Sequence, residues 1–238
     1  MRKDSPYYQP SIETLQCASL FNGVDERMIE EILGYFTPMT LPKKTSIHPW
    51  QTQISLFVII KGRVKVSTIN PTNGREYIVS LLDKGDVFDI ISLLDAKKHE
   101  VNIETIEEVQ LLKMPIQTAR DWLEKNPQFN KNILPYIGER MRYLESSSSN
   151  LALYDTMDRL VKLILDNVDV HSKMKNEFPV KLINDLSHES LAQMIGSVRK
   201  IVNLNIQELK KEGIISSLRG KLSVNNLEKL LDKCKDIV

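Results

Sequence analysis

The stretch LSHESLAQMIGSVRKIVNLNIQELKKEGIISSLRGKLSV, from Leu186 to Val224, decides the fold of the C-terminal part of this 238-residue chain. Ser187 is a suitable N-cap for a first short helix, because its hydroxyl can accept from a free amide of the first turn. Gly196 supplies the left-handed turn that often ends a helix. Ser197 is placed to cap a second helix, and Gly213 ends it. The pattern predicts two short helices joined by a tight turn.

The second helix, predicted for residues 198–212, has two different faces when positions are turned by about 100° per residue. The predicted core face is apolar and consists of Val198, Val202, Ile206 and Leu209. The opposite face carries Lys200, Asn203, Leu204, Gln207 and Lys211. A leucine among polar groups is unusual on a solvated helix, but a helix in the major groove can place it against a thymine methyl group.

Two short apolar segments follow the second helix, Ile214–Ser216 and Leu222–Val224, and they alternate like strands around a turn that contains Arg219 and Lys221. From Ser187 to Lys221, six lysine and arginine residues face three glutamates, a net charge of +3, whereas the whole chain carries +1. Short helix pairs are common in proteins of many functions. The added hairpin and the local positive charge favour a winged helix-turn-helix that binds DNA.

The DNA-binding hypothesis assigns roles to individual side chains. Asn203 and Gln207 can pair with adenine edges, and Arg199 or Lys200 with guanine or phosphate. Cations at the hairpin tip suit the phosphate backbone. The predicted DNA contacts are Ser187, His188, Ser197, Arg199, Lys200, Asn203, Leu204, Gln207, Arg219 and Lys221.

The composition, with 42% hydrophobic and 26% charged residues, is typical of a globular protein of one large or two modest domains. No apolar run approaches 18 residues, so no membrane span is expected. The opening MRKDSPYYQP lacks the apolar core of a signal peptide. Cys17 and Cys234 are far apart in sequence, which suggests neither a disulfide framework nor a cysteine-based metal site. A cytoplasmic location is expected.

In the remaining sequence, the predicted secondary structure changes twice, from helix to strands and back to helix. Residues 11–36 are predicted to be helical, and short strands are then predicted at residues 56–60, 63–69, 77–82 and 101–106. The Asn-Gly pair at positions 73 and 74 predicts a hairpin, and the regular spacing favours a sandwich, roll or barrel. After Pro127 the pattern is helical again, with a second amphipathic helix from Asp155 to about Asn167. Residues 168–185 suggest a loop with one strand.

The first of these later helices has a heptad-like stripe. It consists of Ile133, Ile137, Met141, Leu144, Ser148 and Leu151. Such a stripe suits a helix packed against its twin in a dimer. The alternative is that the same stripe packs against the strand-rich part of its own chain.

Four motifs in this order resemble the Crp/Fnr family of bacterial transcription regulators. They are KGRVKV (Lys61 to Val66), KGDVF (Lys84 to Phe88), NLALYDTMDRLVKLIL (Asn150 to Leu165) and the Leu186–Val224 block. The resemblance implies an α+β fold with a jelly-roll-like, double-stranded β-roll sensor domain over residues 1–127. A dimerisation helix and hinge over 128–152 and a winged helix-turn-helix over 153–238 would follow. It also implies a homodimer on a pseudo-palindromic DNA site.

The sequence departs from the family pattern where the family's cyclic-nucleotide binders hold their ligand. Their Gly-Glu pair is replaced by Asp89-Ile90, and their Arg-Ser pair by Glu100-Val101. An acid where the cyclic phosphate would lie is repulsive, so cyclic AMP is not the expected ligand. An effector at the inherited position would be lined by Asp89, Ile90, Glu100, Val101 and Leu144; the alternative is that this space is filled.

No cofactor is predicted. The family's oxygen sensors use several cysteines for an iron–sulfur centre, and Cys17 alone cannot supply four thiolates. Haem stays an open alternative, because one axial His, Met or Cys can suffice. His48 and His99 are nevertheless more typical of ordinary surface histidines.

The second helix departs from the family's Ser-Arg-Glu-Thr-Val-x-Arg pattern as well. Arg199 is kept, but the Glu position holds Lys200 and the second Arg position holds Leu204. The glutamate accepts from cytosine in the family pattern, so its replacement changes which bases can be read. A target other than the usual TGTGA-like half-site is therefore expected.

The sequence distinguishes three classes of function. The favoured hypothesis is a homodimeric, sequence-specific regulator that binds double-stranded DNA and responds to a signal other than cyclic AMP, with RNA polymerase as a further partner if it activates. The alternative is a ligand-binding module that acts through protein partners and carries a vestigial DNA-binding unit. An enzyme is not expected, because the chain lacks a Gly-rich phosphate loop, a nucleophile elbow and a paired metal motif.

Overall fold

The computed structural model describes residues 1–172, 177–218 and 221–234, apart from the side chains at positions 128 and 130. The chain forms two compact units, Met1–Arg75 with Val79–Arg142 and Glu76–Ile78 with Tyr143–Val238. The predicted α+β fold is confirmed, since an N-terminal β-sheet domain is followed by a long helix and a C-terminal helix-turn-helix.

The N-terminal segment is mainly helical, as predicted for residues 11–36, but the helix is interrupted. It consists of α1 (Tyr8–Cys17), a 3-10 turn (Ser19–Phe21) and α2 (Glu26–Tyr35). Gly23 has a left-handed φ of 69° and breaks the run. Asp25 then starts α2 afresh, because its side chain accepts a 2.7 Å hydrogen bond from the Arg27 amide.

Two antiparallel four-stranded sheets form the roll. Their strands are β1 (Thr37–Leu41), β2 (Ser46–Ile47), β3 (Ser55–Lys61), β4 (Val64–Ile69), β5 (Glu76–Leu82), β6 (Val87–Phe88), β7 (Asn102–Thr105) and β8 (Val109–Pro115). The strand orders are β1-β8-β3-β6 and β2-β7-β4-β5. Three short helices accompany them, α3 (Pro49–Ile54), α4 (Ile90–Asp95) and α5 (Ile116–Lys125). The four strands predicted from sequence all form, within two residues of their expected ends.

The strand β8 was not predicted, although it lies between β1 and β3 at the centre of its sheet. Central strands bury both faces and therefore lack polar alternation. In β3, Phe57 and Ile59 face the second sheet, where the Phe57 ring stacks on Phe88 with centroids 4.8 Å apart. Leu56, Val58 and Ile60 face the layer of helices on the other side.

The long helix α6 (Asn130–Leu153) divides the predicted heptad stripe into two parts. Its first turns pack into the core of the N-terminal unit, where Ile133 is 4% exposed and Ile137 is partly buried. Farther along, Met141 is 65% exposed and Leu144 45%. The early part of the stripe thus packs on the chain's own roll, and the later part is available to a partner.

The C-terminal unit is built around one small core. It contains α7 (Thr156–Leu165), β9 (Phe178–Pro179), α8 (His188–Met194), α9 (Arg199–Lys211), β10 (Ile215–Leu218), β11 (Lys221–Val224) and α10 (Leu227–Asp232). The strands form a sheet in the order β10-β11-β9. Leu160 and Ile164 of α7 are fully buried, and the Asp155 side chain caps this helix by accepting from the Asp158 amide at 3.0 Å. Within the described ranges, no helix is both long and apolar enough to cross a membrane.

Candidate DNA interface and effector position

The turn between α8 and α9 has the local geometry that the sequence predicts. Ser187 caps α8, because its Oγ accepts a 3.0 Å hydrogen bond from the Ser190 amide. Gly196 lies in the left-handed region with φ 62°, and a Cβ there would come within 2.7 Å of Leu151 Cδ2. The Ser197 amide donates to the Ala192 carbonyl at 2.8 Å. The turn is therefore fixed by its backbone.

Two expectations about the start of α9 are wrong. Ser197 is not its cap: the N-cap residue is Val198, which provides no side-chain hydrogen bond. Val198 is also not in the core, since it is 55% exposed. Both differences arise because the helix begins at Arg199. Val198 precedes the first turn, so its side chain does not lie on the buried helical face that contains Val202. Ile195 in the turn is buried instead.

The faces of α9 otherwise separate as predicted. Val202, Ile206 and Leu209 are at most 2% exposed and anchor the helix in the domain core. The opposite face consists of exposed side chains, with Asn203 half-buried beside them: Arg199, Lys200, Leu204, Gln207 and Lys211. The core contacts hold this face rigidly and turn it outward.

The acidic residues at the end of α9 form ion pairs with Lys233, and not with the cations at its start. The Lys233 Nζ lies 3.0 Å from a Glu212 carboxylate oxygen and 3.8 Å from one of Glu208. In contrast, Arg199 and Lys200 form no ion pair with any other residue that the structure describes. Because the acids of the helix are already engaged, the outward face is positive, as anion binding requires.

The wing is a hairpin of β10 and β11, with Leu218 paired to Lys221 at the end where the two strands are connected. The Ser216 and Ser223 hydroxyls lie 2.8 Å apart across it. Lys221 is exposed, whereas Arg219 lies outside the described residues. At the other end of the motif, Ser187 is exposed and His188 is half-buried at the start of α8.

At the inherited effector position, the Asp89 side chain contacts groups of its own chain. Asp89 takes a left-handed conformation with φ 60° just before α4, and its side chain is only 1% exposed. The Ser92 hydroxyl donates to its Oδ2 at 2.7 Å, and His99 Nδ1 lies 3.0 Å from its Oδ1. Arg120 holds the end of α4 by donating to the carbonyls of Ser92 and Leu93.

The other predicted effector residues differ in their surroundings. Ile90 and Val101 are buried apolar residues of the N-terminal unit. The Glu100 side chain is 75% exposed and pairs with Lys98. Leu144 belongs to the C-terminal unit. The His99 side chain is 34% exposed and its imidazole lies against Asp89. This contact depends on the fold, and no local sequence pattern predicts it.

A neighbouring carboxylate links the roll to the first half of α6. Arg140 pairs with Asp86 and also donates to the Tyr136 hydroxyl at 3.3 Å. Burial raises the pKa of the Asp86 carboxyl, although the Arg140 guanidinium acts in the opposite direction. Across the described part of the chain, no group of three or more His, Cys, Asp or Glu residues could hold a metal ion.

Two family models match this chain. A cyclic nucleotide-binding domain matches residues 44–126, and a Crp-like helix-turn-helix domain matches residues 158–233. The two matches coincide with the roll and with the winged unit, in the order that the four sequence motifs predict. The chain belongs to the Crp/Fnr family of transcription regulators.

Known members of the family are similar along most of the chain. A CRP-like cAMP-activated global transcriptional regulator of Mycobacterium tuberculosis is 25% identical over 225 residues, covering 94% of this chain and 99% of the relative. A global nitrogen regulator of a Nostoc species is 29% identical over 185 residues, covering 76% and 82%. The solved structure of a CooA variant from Carboxydothermus hydrogenoformans has a TM-score of 0.71 at 22% identity, covering 85% and 89%. These relatives are regulators rather than enzymes, and the structural likeness supports the Crp/Fnr fold.

Proposed function

We propose that this Crp/Fnr protein is a homodimer that binds a pseudo-palindromic DNA site with α9 in the major groove. The outward face of α9 carries this proposal: cations that pair with no acid among the described residues stand beside amides that can pair with base edges. The helix is anchored by buried Val202, Ile206 and Leu209. Lys221 on the wing, together with Arg219, would contact the phosphate backbone. Ser187, His188 and Ser197 lie at the turn end of the motif and complete the proposed interface.

The dimer is proposed on the second half of α6. Met141, Leu144 and Leu151 are exposed apolar residues on one face of this helix in the single chain. A parallel twin helix would cover them by coiled-coil packing. Two-fold symmetry would then place two α9 helices about 34 Å apart, one turn of DNA, as a pseudo-palindrome requires. The predicted division at residues 128 and 153 describes the functional parts of this proposed dimer.

The signal is proposed to be something other than cyclic AMP, although one similar regulator is cAMP-activated. A cyclic phosphate needs a cationic partner, and the arginine position of the family pattern instead holds Glu100, an exposed acid that pairs with Lys98. The buried Asp89 carboxylate, with Ser92 and His99, stands at the glycine position of the Gly-Glu pair. Ile90 replaces the ribose-binding acid and is itself buried. Calorimetric titration with cyclic AMP and cyclic GMP tests this point, and micromolar binding of either nucleotide would contradict it.

A second candidate is a ligand-binding module with a vestigial DNA unit, which the changed residues Lys200 and Leu204 motivate. The exposed cations of α9 argue for retained DNA binding instead. If the protein activates transcription, RNA polymerase is a further partner. A cytoplasmic location follows from the proposed DNA binding.

The decisive experiment is selection of bound duplexes from a random DNA library by the purified full-length protein, with no ligand added. We expect enrichment of a two-fold symmetric site that differs from TGTGA. Failure of a folded, dimeric protein to enrich any motif, both alone and with cell extract, would favour the vestigial alternative.

Variants separate base reading from backbone binding on the selected site. Lys200→Ala and Asn203→Ala should lose sequence preference, at about 1–3 kcal/mol for each lost base contact. Arg219→Ala and Lys221→Ala should weaken all duplexes by similar factors and reduce the dependence of binding on salt. An unchanged motif and affinity for Lys200→Ala would show that α9 presents a different face to DNA.

A further inference from the structure

The outward face of α9 includes apolar side chains as well as cations. Leu204 is 51% exposed and Ile201 is 37% exposed. Residues three apart are neighbours on a helix surface, and these two are separated by about 4.5 Å along the axis. Exposed apolar groups next to one another on an anchored helix are the side chains that gain most when a partner covers them.

The charges around this apolar pair narrow the choice of partner. Lys200 and Lys211 lie on the same side of α9 as Leu204, and neither forms an ion pair within the described ranges. The partner must therefore carry negative charge close to an exposed apolar group. The major groove of DNA has this combination, because the thymine C5-methyl group is the apolar feature displayed there between two phosphate backbones.

Neighbouring amides point to the same kind of base pair. Gln207 lies one turn from Leu204 on the exposed face, and Asn203 lies beside it. Glutamine and asparagine bind the adenine edge through N6 and N7, and adenine pairs with thymine. An A·T pair thus offers an edge to an amide on one strand and a methyl group to an apolar side chain on the other. The 4.5 Å helical spacing is close to the base step of about 3.4 Å, so adjacent pairs suffice.

Resting on the proposed function, we infer that Leu204, with Ile201 beside it, binds the 5-methyl group of thymine in each half-site. Leu204 is then a specificity-determining residue that selects A·T pairs at the position where the family pattern has an arginine. The contact is apolar, so it adds selectivity without adding to the salt dependence that phosphate contacts produce.

The test removes the methyl group and nothing else. Two random duplex libraries are made, one with thymine and one with deoxyuridine, and each is offered to the full-length protein. The enriched site is then synthesised with single thymine-to-uracil replacements, and affinities are measured by fluorescence anisotropy at fixed salt. The variants are Leu204→Ala and, as a matched control, Leu231→Ala, which removes a leucine that is 47% exposed on α10.

We expect one or two thymines per half-site whose replacement by uracil weakens binding about four-fold, the factor for burying one methyl group. The Leu204→Ala protein should bind the thymine site more weakly and no longer distinguish uracil from thymine there. The Leu231→Ala protein should keep the full distinction.

Three outcomes overturn the inference. Equal enrichment of the same motif from both libraries would show that no methyl group is read, while leaving the proposed DNA binding intact. A uracil effect that persists undiminished in Leu204→Ala would assign the methyl contact to another residue. Enrichment from neither library would remove the proposed function and this inference together.

Discussion

The outward face of α9 and the inherited effector position both depart from the Crp/Fnr pattern, but in physically different ways. On α9 the changed residues, Lys200 and Leu204, are exposed on a rigidly held helix. In the roll the changed residue Asp89 is buried and finds its partners within the chain. Replacement on an exposed face alters which partner is bound. Replacement in an interior, where the new group is already satisfied, alters whether a ligand can enter.

The largest expected effect is a loss of stability when a side chain is added at Gly62, a tightly packed position in the roll. A Cβ at Gly62, where φ is 87°, would lie 2.5 Å from the backbone oxygen of Glu108. Gly62→Ala should therefore cost about 3 kcal/mol or more, measured by denaturant unfolding. Gly74→Ala is the matched control, since its φ of 69° is similar and nothing lies near its Cβ. It should cost about 1 kcal/mol. Equal costs would show that the backbone around Gly62 adjusts to the added Cβ.

The second test concerns the exposed half of α6. Met141→Asp places a charge in the proposed dimer seam and should weaken dimerisation about 100-fold or more, which corresponds to about 3 kcal/mol. Analytical ultracentrifugation measures the change. Leu153→Asp is the control, because Leu153 is 73% exposed but lies on another side of the same helix. A dimer unaffected by Met141→Asp would place the interface elsewhere.

The third test removes the buried carboxylate at the inherited effector position. Asp89→Ala leaves the Ser92 hydroxyl and the His99 imidazole without their acceptor, and alanine is strained at φ 60°. We expect a loss of about 2 kcal/mol in the free energy of unfolding. Glu100→Ala, which changes an exposed side chain, should stay within about 0.5 kcal/mol. If the two variants were equally stable, the contacts of Asp89 with Ser92 and His99 would not stabilise the roll.

The smallest effect is a dependence of stability on pH that the Asp86 carboxyl of the roll contributes. Burial raises the pKa of Asp86 above its value in the unfolded chain, so the folded state holds that proton more tightly. Its contribution to stability is present at low pH and is lost as pH rises from about 4 through the raised pKa. Stability measured against pH should therefore fall faster over this interval for the native protein than for Asp86→Asn. Lys200→Ala should keep the native slope, and the same slope in all three proteins would contradict the expectation.

Local pattern was sufficient for much of this fold. The serine cap of α8, the left-handed glycine before α9 and the apolar period of Val202, Ile206 and Leu209 are short-range features, so the helix-turn-helix could be predicted with its outward face. The strands around the Asn-Gly hairpin followed for the same reason. The family resemblance depended on these same segments and on their order.

The sequence by itself determined the helix-turn-helix, most strands and the family, because each depends on residues within one or two turns of one another. Tertiary structure decided what depends on distant contacts. It made β8 a central strand, divided the α6 stripe between a buried and an exposed half, and left Val198 outside the core. It also brought His99 to Asp89, ten residues away. These outcomes depend on which surfaces meet when the chain folds. The spacing of apolar and polar residues within one element does not determine those contacts.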